Sequence, residues 1–179
     1  MLVGLSSAAV ISELPASAFP DTEVSTNLAL RSWDTNVRTF TLTLELTASA
    51  SNNVQVAFGC DRSGDGDLAP GETGFVLGWD CGAWFMMNAD DRFTTQPPGA
   101  ASRKTLTFAL RLDADGTPVA LAVKDGDTAL DGFPVAGAVP SWLYSPTWNR
   151  MKVTARGVDP AAESLRVSLL DDGVRIILR

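Results

Sequence analysis

Histidine does not occur in this sequence. Its absence removes Ser-His-Asp and Cys-His catalysis, histidine general bases, and most zinc, copper and haem sites together. Glutamate is scarce, with five residues, and cysteine occurs twice; a thiolate zinc cluster therefore has too few ligands. No apolar run is long enough to cross a bilayer. Basic residues are also in deficit: the formal charge is −7 and the isoelectric point about 4.5. That balance argues against nucleic acid and anionic membrane surfaces as partners. Nucleophile elbow, phosphate loop and dinucleotide fingerprint are all missing.

What is present is an ordinary globular composition: 179 residues, 45% apolar and 20% charged. This is enough for a single domain, 1–179, with a sizeable core. Near the start, Ala16-Ser17-Ala18 has the form of a signal-peptidase site. However, no Lys or Arg precedes it, and Glu13 and Pro15 interrupt the apolar stretch. The segment therefore reads as folded chain with an N-terminal strand, and a signal peptide is not visible.

The patterning is β throughout. Phe40, Leu42, Leu44 and Leu46 alternate with Thr39, Thr41, Thr43 and Glu45, which marks a strand with one buried face. Val54, Val56 and Phe58 repeat the alternation, as do Leu106, Phe108, Leu110 and Leu112. Shorter versions occur at Val119, Leu121 and Val123 and at Met151, Val153 and Ala155. Leu165, Val167 and Leu169, then Asp172-Gly173, then Val174, Ile176 and Leu178 predict a terminal hairpin. Further turns are expected at Asp115-Gly116, Asp125-Gly126 and Asp131-Gly132. About ten or eleven short strands without helical periodicity predict an all-β, antiparallel two-sheet sandwich or jelly roll.

One segment carries chemistry. Residues 61–72 place Asp61, Ser63 and Asp65 at alternate positions, then Gly66, Asp67, Leu68 and, at the end, Glu72. A hard cation such as Ca²⁺ takes six or more oxygens, and alternate residues of a curled loop can all point inward. Glycine suits the position where the chain reverses. These residues resemble the EF-hand and dockerin type of calcium loop. The resemblance implies calcium held by Asp61, Ser63, Asp65, the main-chain carbonyl of Asp67, and a bidentate Glu72. Its flanks, 54–58 and 75–79, read as strands where an EF-hand has helices, so the loop is expected to clip two strands together. A metal-free Asp- and Gly-rich turn is the competing reading.

Cys60 and Cys81 bracket this loop. If both lie near its base, a disulfide would close the same structure as the metal, in an oxidising and calcium-rich exterior. Two reduced, buried thiols are the alternative. Among the aromatics, Trp79 and Trp148 adjoin strand patterns and read as core. Trp142 and Tyr144 lie in a loop between two prolines and are the candidate ligand-binding rings.

The run Trp148-Asn149-Arg150-Met151-Lys152-Val153, with the later strand and its Asp-Gly turn, resembles the concanavalin and laminin-G type of sandwich. That resemblance implies a jelly-roll domain, often extracellular and calcium-dependent, that binds a glycan or a protein. A carboxylate-dependent glycoside hydrolase would need two acids at a set separation. Glu45 lies mid-strand on the polar face, and Asp80, beside two tryptophans, is the least explained acid; a pair between them across strands has no support in the alternation. The expectation is therefore a calcium-stabilised, non-catalytic module, extracellular or at the cell surface, that binds a glycan or protein without membrane insertion. A purely structural assembly subunit and the hydrolase are the alternatives.

Overall fold

The computed structural model describes residues 9–14, 23–27, 38–48, 51–97, 103–113, 115–133, 139–157 and 165–171, with side chains described between 41 and 157. Twelve strands form among them: β1 (Ala9–Leu14), β2 (Glu23–Asn27), β3 (Arg38–Thr47), β4 (Asn53–Gly59), β5 (Thr73–Asp80), β6 (Ala83–Met87), β7 (Arg92–Thr95), β8 (Arg103–Leu112), β9 (Pro118–Asp125), β10 (Thr128–Ala129), β11 (Arg150–Arg156) and β12 (Leu165–Asp171). They make two six-stranded sheets, in the orders β1-β12-β3-β8-β9-β10 and β2-β11-β4-β5-β6-β7. All the strand pairings described are antiparallel. The all-β two-sheet sandwich expected from the alternation is what the chain forms.

Strand alternation builds the core directly, because successive side chains leave opposite faces. Leu42, Leu44 and Leu46 of β3 and Leu106, Phe108 and Leu110 of β8 form the inner face of one sheet. Val54, Val56 and Phe58 of β4, Phe75, Leu77 and Trp79 of β5, and Met151 and Val153 of β11 form the other. Rings cross the interface, with Phe75 of one sheet 5.6 Å from Phe108 of the other. The 3₁₀ turn Ser141–Leu143 and the residues after it pack Leu143, Tyr144 and Trp148 into the same core.

The turns at Asp115-Gly116 and Asp125-Gly126 join β8 to β9 and β9 to β10, with both glycines at positive φ. In the proposed terminal hairpin, Asp172-Gly173 and 174–178 lie outside the described residues, as does the Ala16-Ser17-Ala18 segment. The strand before that turn, β12, is hydrogen-bonded on both edges, to β1 and to β3. Among the described residues, no helix is long and apolar enough to cross a membrane.

Candidate functional site

Loop 61–72 starts where β4 and β5 separate. A bulge falls between Phe58 and Gly59, and a Cβ at Gly59 would lie 2.1 Å from the Glu72 carbonyl oxygen. Only glycine lets the two chains approach this closely. The Cys60 N–H then donates to the Glu72 carbonyl at 3.0 Å and closes the base of the loop. Inside it, Asp61 is the hub. Its Oδ1 accepts from the Gly64 N–H at 2.6 Å and from Ser63 Oγ at 3.1 Å, and its Oδ2 accepts from the Gly66 N–H at 3.0 Å. Glu72 Oε1 accepts from the N–H groups of Arg62 and Ser63, and Oε2 from that of Ala69.

Strand β11 and the residue just before it grip this loop from outside it. Asn149 and the Asp61 main chain exchange hydrogen bonds, at 2.8 Å to Asn149 Oδ1 and 3.3 Å from Asn149 Nδ2. Arg150 Nε donates to Asp61 Oδ2 at 3.2 Å, and Lys152 Nζ to Asp67 Oδ2 at 3.0 Å. Both contacts follow from register, since Arg150 pairs with Gly59 and Lys152 with Ala57. Burial pushes the Asp61 carboxyl up, but the N–H groups of Gly64 and Gly66, Ser63 and Arg150 outweigh it and hold the group below its ordinary range. The N–H groups of Ala69 and Arg62 likewise hold Glu72 low.

The donor set suits a hard cation in kind: four carboxylates, a hydroxyl and carbonyls within twelve residues, curled by glycines at 64 and 66 with positive φ. As the side chains stand, they do not converge, and among the described residues no group of three or more Asp, Glu or Cys is gathered as an ion would gather it. Backbone N–H groups and the two β11 cations hold their oxygens instead. Asn149, Arg150 and Lys152 were not legible as partners of the loop. The outward parity of Arg150 and Lys152 in β11 was readable, but the pairing of residue 150 with residue 59 was not.

The structure corrects the disulfide expectation. Cys60 follows β4 and Cys81 follows β5, and the two strands are antiparallel, with Asn53 opposite Asp80. The cysteines therefore lie at opposite ends of the hairpin, separated by the seven residues of β4, or roughly 20 Å. A disulfide needs Cα atoms within about 7 Å. Both thiols are free, and Cys81 is exposed. It occupies the two-residue β5–β6 turn with φ 44° next to Gly82 at φ 115°, the backbone of a type I′ turn.

The exposed aromatic pair is corrected as well. Tyr144 is 6% exposed and belongs to the core, with its ring against Trp148 at 5.9 Å. Trp142 is partly buried, stacked on Phe93 and tilted against Phe75, each at 6.4 Å. Two prolines mark this segment as a loop, but they do not say that it packs its rings onto the core. Trp79 and Trp148 are core, as expected.

A polar cluster that sequence reasoning did not single out lies on the outer face of the β4-β5-β6-β7 strands. Asn53 Nδ2 donates to Asp80 Oδ1 and Arg92 Nη2 to Asp80 Oδ2, each at 3.0 Å. On its way the Arg92 guanidinium covers the outward-facing Phe85 ring, 5.1 Å from its centroid, which explains how Phe85 is 2% exposed on an outer face. Asn53 and Arg92 hold the Asp80 carboxyl below its usual range. Half-buried Ala57, Val76 and Met87 lie in the adjoining row of the same face. Glu45 is on the other sheet, 4.0 Å from Arg103, so the acid pair of a hydrolase built on Glu45 and Asp80 does not form.

No protein-family model and no curated protein sequence matches the chain. Among solved structures, it is similar to the metal-free Emp46p carbohydrate recognition domain at 14% identity and a TM-score of 0.42, over 94% of this chain and 88% of that one. It is also similar to the CBM2 module of the evolved Dit of Lactobacillus casei BL23 phage J-1, at 11% identity and a TM-score of 0.38, over 87% of this chain and 71% of that one.

Proposed function

We propose that this chain is a non-catalytic recognition module that binds a glycan through the outer face of β4, β5, β6 and β7. The observation that carries the reading is the Asn53–Asp80–Arg92 chain, in which an amide, a carboxylate and a guanidinium are locked to one another on an open sheet face. Sugar hydroxyls are recognised by planar groups that donate and accept in fixed directions, and groups held in place before binding lose less entropy on binding. Ala57, Val76 and Met87 supply an apolar floor for the C–H faces of a sugar. The absence of histidine and the separation of Glu45 from Asp80 support a role without catalysis.

Calcium belongs to this proposal as a stabiliser of loop 61–72, with Asp61, Ser63, Asp65, the Asp67 carbonyl and Glu72 as the ligands. An extracellular or cell-surface setting then rests on calcium supply, since the cysteines no longer argue for it. The test is a glycan array followed by titration of the best ligand. Arg92→Ala and Asp80→Asn should abolish binding while melting within a few degrees of the parent. Unchanged binding in both variants, or turnover of a polysaccharide panel lost in Asp80→Asn, overturns the reading.

A further inference from the structure

We infer that Arg150 and Lys152 are resident counter-ions of loop 61–72: the loop keeps its fold without metal, and a divalent cation enters only by displacing Arg150 from Asp61. The calcium half of this inference rests on the reading of the loop given above; the counter-ion half does not.

The Asp61 side chain is 3% exposed and the Arg150 side chain 16%, so the pair is largely withdrawn from water. A buried carboxylate without a partner is strongly unfavourable. Here each Asp61 oxygen has two donors: Gly64 N–H and Ser63 Oγ on Oδ1, and Gly66 N–H and Arg150 Nε on Oδ2. In a metal-closed loop of this kind, the ion neutralises the first carboxylate and pins the turn. Here a guanidinium from a neighbouring strand holds Oδ2 and also lies against the turn itself. A Cβ on Gly66 would be 3.5 Å from Arg150 Nη2, so the turn glycine packs under the guanidinium.

Lys152 does the same for the second half of the loop. It meets Asp67 Oδ2 at 3.0 Å with its own side chain 15% exposed. Asn149, the residue just before β11, fixes the backbone of Asp61. Three of the four consecutive residues 149–152 thus hold the loop, and their reach is set by β11 pairing with β4. A divalent ion placed on the Asp61 oxygens would sit against a fixed positive charge, and like charges at such range repel. Binding therefore requires the guanidinium to leave, which lowers affinity and makes Arg150 the residue that sets how tightly the loop takes a divalent ion.

Backbone amide exchange and calcium titration test this on the full chain, with the parent, Arg150→Gln, Arg150→Lys and Lys152→Gln. In excess chelator, the parent should keep slow exchange at the Gly64 and Gly66 amides. Arg150→Gln should speed both at least tenfold, and Arg150→Lys should restore part of the protection. Arg150→Gln should also bind calcium at least tenfold more tightly than the parent, because the competing charge is gone. Fast exchange in the parent until calcium is added, or unchanged exchange in Arg150→Gln, overturns the counter-ion role. Equal or weaker calcium affinity in Arg150→Gln overturns the displacement. If no variant binds calcium, the calcium reading of the loop and the displacement fail together, and the exchange data alone then uphold or reject the counter-ion role. Should Arg150→Gln fail to fold, Lys152→Gln is read in the same way, at the Asp67 amide.

Discussion

Trp84 of β6 donates its indole N–H to Asp125 of β9 at 3.0 Å, a hydrogen bond that ties one sheet to the other. Lys104 lies 3.8 Å from the same oxygen of Asp125, with both side chains under 10% exposed, and the Thr105 N–H donates to the other oxygen. A charged group thus sits between the sheets with its donors in place. A buried pair of this kind is costly to break on one side only.

Lys104→Met should therefore destabilise the fold by about 3–5 kcal/mol, because it leaves Asp125 charged and buried. Lys104→Met combined with Asp125→Leu should cost less than the sum of the two single changes. Urea unfolding of the four proteins measures this; strict additivity would mean that the pair is not coupled.

Gly74 makes room for a tryptophan. A Cβ at position 74 would lie 2.6 Å from the Trp148 indole, which is buried against Phe75 and Phe58. Gly74→Ala should cost about 1–3 kcal/mol through overpacking. Gly74→Ala combined with Trp148→Phe should recover part of that loss in a thermal melt.

Tyr144→Ala should behave as a core truncation and lose about 3–5 kcal/mol, the usual range for a buried aromatic. Trp142→Ala removes a ring that is only partly buried and should cost less. Equal melting temperatures for the parent and Tyr144→Ala would place that ring outside the core.

The cysteines should titrate as two free thiols under denaturant in freshly purified protein. Desolvation and the neighbouring Asp80 carboxylate push the Cys81 thiol above its usual value, so its alkylation at neutral pH should be slower than that of free cysteine despite its exposure. Cys81→Asn should be tolerated or stabilising, because asparagine accepts the positive φ of this turn better than cysteine.

Stability should fall on acidification partly through Asp80. Its carboxyl is held low in the folded protein by Asn53 and Arg92, so the unfolded chain binds the proton more readily. The contribution is present above the ordinary carboxylate value and is lost as pH falls through the folded one. Melting temperature against pH should flatten in Asp80→Asn across that acidic window. A profile identical to the parent's would show that the cluster adds nothing to stability.

Local chemistry decided much of this protein in advance. Alternation at 42, 44 and 46 and at 106, 108 and 110 determined two-faced strands, because a strand's side chains change face at every residue. Asp115-Gly116 and Asp125-Gly126 determined turns, because glycine alone takes their backbone angles freely. The spacing of 61, 63, 65 and 72 determined a curled, oxygen-lined loop. Pairing between distant segments decided the rest. Antiparallel β4 and β5 carried Cys60 and Cys81 to opposite ends of the hairpin, and the fold of 139–148 over the core buried Tyr144. The pairing of β11 with β4 set Arg150 beside Asp61, 89 positions away. Such contacts depend on which strands share an edge, and strand order follows from how two whole sheets bury their apolar faces together, not from any local run of residues.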